Sequence, residues 1–142
     1  MISLNEKILI KLEEMDKYLT ELETMLPEEE KEYLQDLTLR RACEKTIELA
    51  IESVIDMISI IVAQQKLGLP QSEDDLIKII SDKKIISHDL SNKIKQMKGF
   101  RNILVHKYGH IDDKLVYKYL KEEWDDFLVF EKEIKKYIHG KH

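Results

Sequence analysis

In the stretch GFRNILVHKYGHID, Arg101, Asn102, His106 and Tyr108 stand close together in a mostly apolar segment. Their types suit chemistry on a phosphodiester. The planar fork of an arginine can hold a phosphate through two N–H groups. An imidazole titrates near neutral pH and can move a proton, as when a 2′-hydroxyl attacks the adjacent phosphorus of RNA. A tyrosine at the end of a helix presents an accessible hydroxyl. Plainer readings stand beside these. Arg101 fits a structural ion pair, His106 a cap on a last helical turn, and Tyr108 a solvent-rim aromatic.

Helical geometry separates these side chains. At about 100° per residue, with Met97 at zero, Leu90, Ile94, Phe100 and Leu104 fall within about 60° and define a buried stripe. Arg101 falls at about 40°, inside that stripe. Gly99, Asn102 and His106 fall between about 140° and 200°, on the opposite side, where Gly99 leaves room for another backbone. Asn102 and His106 are four apart and stack on one face. A cation rooted in an apolar stripe needs a partner, because burying an isolated charge is very costly. Glu48, Glu52 and Asp56 are the expected partners. They recur at every fourth position and form an acidic strip on a long apolar helix.

The elements that must position these residues are helices. Only four glycines and two prolines interrupt 142 residues, so turns are few and elements long. Leu4, Ile8, Leu12, Met15, Leu19, Leu22 and Leu26 recur at steps of three or four, which predicts a first helix from about Ser3 to Leu26. Ser3 is its expected cap, with Glu6 three residues on. Pro27 ends it and can open the next. A second helix is predicted from about Glu28 to Leu67, stopping at Gly68. Twelve of its seventeen residues from Ile47 to Ala63 are apolar, so it should be central and can also serve a subunit interface. A short helix follows over about Glu73–Lys83, capped by Ser72. A fourth runs from Ser87 or Asp89 to Tyr108, with Gly109 as a left-handed cap. A fifth runs from Asp113 to His139, capped by Asp112, with a seam of Val116, Leu120, Phe127, Phe130, Ile134 and Tyr137. The expected fold class is all-α, an antiparallel bundle of four long helices and one short one over residues 1–142 as one domain.

Composition narrows the function. Hydrophobic residues make up 43% and charged residues 36%, which supports a packed core rather than disorder. The net charge of -5 makes the chain a poor general nucleic-acid binder. Any RNA-facing surface must be small or shared between chains. Lys93, Lys95, Lys98 and Lys107 are the best local basic cluster. Cys43, the only cysteine, cannot form an internal disulfide and fits a buried core position. His88, His110, His139 and His142 fit the surface. Trp124, Tyr117, Tyr119 and Tyr137 fit packing. The N-terminus lacks the form of a signal peptide, and the apolar run from Ile47 is broken by charge, so a cytoplasmic setting without membrane contact is expected. There is no glycine-rich phosphate loop and no HExxH, so a site without metal or cofactor is the economical enzyme model.

The pattern Arg101, His106, Tyr108 (R-x4-H-x-Y) resembles the signature of the HEPN superfamily, specifically its HepT-like toxins. RRACEKTIELAIESVIDMISIIVAQQ resembles that family's long central helix. LGLPQSEDDLIKII and IDDKLVYKYL follow in the family's order, and the first 25 residues are the least specific. The resemblance implies a metal-independent endoribonuclease toxin of a two-gene toxin-antitoxin module, type II-like or type VII-like. It implies an all-helical homodimer with two R-x4-H motifs facing across a cleft, which would pool the charge of two basic helices. It also implies a minimal nucleotidyltransferase antitoxin, which in some modules transfers AMP to the motif tyrosine, here Tyr108. Arg101 would hold the scissile phosphate, His106 would act as general acid or base, and Asn102 would orient substrate or histidine. Some HEPN proteins keep the fold as non-catalytic binding modules or accessory partners of a nucleotidyltransferase.

Overall fold

Ser3 opens the first helix as its position predicts: its hydroxyl accepts from the Glu6 amide at 3.2 Å. The computed structural model describes residues 2–106 and 111–140. Among these lie seven helices: α1 (Leu4–Met25), α2 (Glu30–Gln35), α3 (Leu37–Gln64), α4 (Glu73–Asp82), α5 (His88–His106), α6 (Asp113–Glu122) and α7 (Trp124–His139). The all-α class stands, whereas the expected count of four long helices and one short does not.

Two expected long helices are each broken in two. Instead of one helix from Glu28 to Leu67, the chain leaves α1, stays non-helical through Glu29, and turns again at Asp36. Asp36 adopts extended backbone, and its carboxylate accepts from the Leu39 amide at 3.0 Å, so it caps α3. The break lets Tyr33 of α2 bury its ring against Tyr117 of α6, centroids 5.2 Å apart. The predicted fifth helix likewise breaks at Glu123. The break falls between Leu120 and Phe127 of the seam, and Trp124, which packs on the core, opens α7 directly after it. The end of α3 also differs from expectation. Lys66, not Gly68, takes the left-handed conformation at φ 52°, and the Leu67 amide closes on the Val62 carbonyl at 3.0 Å.

Long-range side-chain ties show that neighbouring helices run antiparallel. Lys11 of α1 meets Asp56 of α3 at 3.5 Å. Asn5 at the start of α1 donates to the Ile138 carbonyl near the end of α7 at 2.9 Å. Ser87 before α5 donates to Glu133 of α7, while Lys93 further along α5 pairs with Asp126 at 3.5 Å. The central helix is α3, as expected: Cys43, Ile47, Ala50, Ile51, Val54, Met57, Ile58 and Ile61 are all buried in one core that reaches from Ile8 to Ile138. Each large aliphatic side chain so buried stabilises the fold by about 1.5–3 kcal/mol before entropy is counted. Burial pushes the Cys43 thiol up to about 11. Among the described residues, no helix is long and apolar enough to cross a membrane.

Candidate active site

The helix α5 carries Arg101, Asn102 and His106, and its packing explains how they are presented. Leu90, Ile94 and Met97 are buried along the predicted stripe. Phe100 lies flat on Tyr119 of α6, with ring centroids 3.8 Å apart. These contacts fix the rotation of α5 about its axis. Arg101 is therefore rooted on the inner side, with its side chain only 12% exposed. His106 is exposed in the last helical turn, and Asn102 is intermediate. Among the described residues, Gly99 has nothing within 4 Å of where a Cβ would stand, so they leave this face of α5 open. Tyr108 lies outside the described residues, as do Gly109, His110, Lys107 and His142.

The Arg101 side chain bends around the helix. Its Nε donates to Asn102 Oδ1 at 3.0 Å, which joins two residues whose roots differ by about 100°. Its Nη2 donates to Glu73 Oε1 in the first turn of α4. This corrects the expected pairing with the acidic strip of α3. Glu48 is taken by Lys45 at 2.9 Å and Asp56 by Lys11. Glu52 keeps an electrostatic tie to Arg101. Burial, then the charge of Glu48, pushes the Glu52 carboxyl above its ordinary value, and the Arg101 guanidinium pulls it back. The strip fails as a unit because its members spread over about two helical turns, roughly 12 Å along the axis, while one guanidinium reaches a single point. Sequence reasoning missed Glu73. The available signal was the run Glu73-Asp74-Asp75 behind the Ser72 cap, on a helix tied closely enough to α5 to pack against it.

Two lysines of the basic cluster on α5 are neutralised within the chain. Lys98 pairs with Asp74 at 2.7 Å and Lys93 with Asp126 at 3.5 Å. Lys95 is exposed. The remaining candidates match their packing readings. Tyr117 is buried and donates to the Pro27 carbonyl at 2.7 Å, Trp124 packs on the core, and His88 and His139 are exposed. Among the described residues, no three His, Cys, Asp or Glu side chains converge as a metal site.

Chemically, the arrangement offers one held guanidinium and one exposed imidazole at the same end of a helix. Asn102 and Glu73 take the Nε and Nη2 positions, which form one edge of the fork. The opposite edge, Nη1 with the second Nη2 hydrogen, has the geometry for bidentate contact with a phosphate. His106 sits about 7.5 Å further along the axis, a distance that a nucleotide linkage can bridge.

Comparison with known proteins agrees with this geometry. The family model for HepT-like ribonucleases matches residues 15–134. The mRNA nuclease HepT of Shewanella oneidensis is 32% identical over 99 residues, covering 70% of this chain and 74% of that protein. The tRNA nuclease HepT of Aphanizomenon flos-aquae is 23% identical over 128 residues, 90% of this chain and 87% of that one. The fold superposes on a tri-AMPylated HEPN toxin of Shewanella oneidensis in complex with its MNT antitoxin. That TM-score is 0.85 at 27% identity, over 96% of this chain and 99% of the toxin. With a helical bundle that carries Arg101 and His106 on one helix, and a family match across most of its length, the chain belongs to the HepT-like ribonuclease family.

Proposed function

We propose that this chain is a metal-independent endoribonuclease and the toxin of a toxin-antitoxin module, acting in the cytoplasm as a homodimer of single-domain subunits spanning residues 1–142. The observation that carries the reading is Arg101: it is anchored through one edge of its fork, on the same helix as an exposed His106, in a HepT-like fold. Arg101 binds the scissile phosphate and stabilises the charge that builds on it. The RNA 2′-hydroxyl attacks phosphorus, and the bond to the 5′-oxygen breaks. His106 takes the proton from the nucleophile or gives one to the leaving oxygen. Asn102 holds Arg101 in place through its side-chain oxygen. The products are a 2′,3′-cyclic phosphate and a 5′-hydroxyl. The relatives are named for mRNA and for tRNA cleavage, which supports RNA as the substrate class.

The antitoxin is a minimal nucleotidyltransferase that transfers AMP to Tyr108. The phenol oxygen attacks the α-phosphorus of ATP and pyrophosphate leaves. The added negative charge beside the site then repels the RNA backbone. The AMPylated, antitoxin-bound toxin among the similar structures supports this part. The homodimer answers the charge problem of an acidic chain, since two α5 segments share one RNA. The open face at Gly99 and the exposed Ile103 on the same helix support it.

The test is induction in cells of wild type and His106→Ala, each with and without the nucleotidyltransferase, together with intact mass of Tyr108-containing peptides. Growth arrest that requires His106, relieved with an AMP-sized mass gain at Tyr108, is the expected result. Equal arrest by His106→Ala sinks the mechanism.

A further inference from the structure

The ion pair between Arg101 and Glu73 has a use beyond stability, and its interpretation rests on the ribonuclease reading above. We propose that Glu73 is a positioning residue for Arg101: with Asn102 it occupies one edge of the guanidinium and turns the other edge to the RNA phosphate. The Arg101 side chain is 12% exposed and that of Glu73 39%. The pair therefore sits where the core meets solvent, shielded enough to be directional and open enough for a phosphate to arrive.

Glu73 is itself held on a firm element. It is the first residue of α4, whose start is fixed by Ser72, which accepts from the Asp75 amide at 3.1 Å. The Asp75 carboxylate accepts from the Gln71 amide at 2.9 Å. Its neighbour Asp74 is tied to Lys98 on α5 at 2.7 Å. Two adjacent acids of α4 thus grip two cations of α5 that are three residues apart, and the first turn of α4 cannot slide relative to Arg101 without breaking both. A site residue supported in this way keeps its geometry better than one left to its own torsions.

The carboxylate also decides what kind of role this is. Beside the site, a negative group repels phosphate, so Glu73 works against RNA affinity. Its contribution must lie in orientation, which appears in turnover. Removal is expected to lower kcat while KM stays the same or falls. A merely structural ion pair predicts lower stability with no such division.

The experiment compares wild type, Glu73→Gln, Glu73→Ala and Arg101→Ala, purified without the antitoxin, by steady-state cleavage of RNA. Side-chain NMR of the Arg101 guanidinium is recorded on the same samples. Glu73→Ala is expected to lower kcat roughly 10-fold with KM unchanged or reduced, and Glu73→Gln, which keeps an acceptor oxygen, to recover to within about 3-fold of wild type. In the spectra, the two Nη groups of wild type give separate signals from hindered rotation, and these merge in Glu73→Ala. A Glu73→Ala enzyme with wild-type or higher kcat overturns the proposal. A wild type that leaves RNA intact removes the ribonuclease reading. The clamp is then judged on the spectra alone, and separate Nη signals that persist in Glu73→Ala overturn it as well.

Discussion

The ring of Phe100 on α5 lies on the ring of Tyr119 on α6, with centroids 3.8 Å apart and planes inclined by only 14°. Phe100 immediately precedes Arg101, so this stack sets the angle at which the motif helix presents its arginine. Tyr119→Ala should therefore cost stability, by about 2–4 kcal/mol for a large, partly buried aromatic. It should also lower cleavage in the fraction that remains folded. Urea unfolding followed by circular dichroism, with cleavage assayed well below the midpoint, separates the two effects.

Among the described residues, the Tyr119 hydroxyl is buried without a hydrogen-bond partner, and so is that of Tyr33. Tyr119→Phe keeps the ring stack and removes an unpaired polar group. It is expected to be neutral or to stabilise by up to about 1 kcal/mol. A loss of more than that, read from the unfolding midpoint, would show that the hydroxyl has a role the geometry does not account for.

The same groups dictate how stability responds to alkali. Burial raises the Tyr33 and Tyr119 phenols above their ordinary value and the Cys43 thiol from 9.0 to about 11. All three are neutral acids held protonated by the fold, so the unfolded chain releases their protons first. Their contribution is complete below the unfolded values, near pH 9 for the thiol and about 10 for the phenols, and is lost as pH rises through the folded ones. Unfolding free energy should therefore fall from about pH 9 upward, and Cys43→Ala should flatten the first part of that fall. Denaturation curves at half-unit pH steps measure it.

Asp36 caps α3 with a single side-chain hydrogen bond to the Leu39 amide. Asp36→Ala is expected to destabilise the protein by about 1 kcal/mol. Asp36→Asn, which keeps an acceptor, should lose much less. A thermal melt of both variants gives the comparison, and equal losses would mean that the carboxylate charge matters more than the cap.

His106 is exposed at the end of the described part of α5. His106→Ala should leave stability within about 0.5 kcal/mol of wild type and abolish RNA cleavage. A variant that unfolds would return His106 to a structural cap, and one that cleaves normally would remove it from the mechanism.

Much of this was legible in one dimension because its causes are local. Ser3, Ser72 and Asp112 cap the helices that their positions announce, since a cap bonds an amide two or three residues away. The stripe through Leu90, Ile94 and Met97 follows from the helical repeat alone, and it placed the root of Arg101 inside the packed surface. The resemblance carried by Arg101, His106 and Tyr108 led to the family that the comparison with known proteins bears out. The breaks at Asp36 and Glu123 were not legible. Both segments keep helical composition across the break, and the reason to turn lies elsewhere, in the burial of Tyr33 against Tyr117 and in the docking of α7 on α1 and α5.

The sequence by itself determined which residues could do the chemistry and that a helix would carry them. Residue type and helical repeat are properties of short stretches, and short stretches are fully written in the chain. Only the tertiary structure decided what the arginine touches. Glu48, Glu52, Asp56 and Glu73 are all carboxylates within reach of a plausible packing, and nothing in their spacing ranks them. The ranking came from the docking of α4 against α5, where the Ser72 cap and the Asp74–Lys98 pair bring Glu73 to the guanidinium. Ion pairs fall off with distance over a few ångströms, so their partners are settled only when whole elements have come to rest.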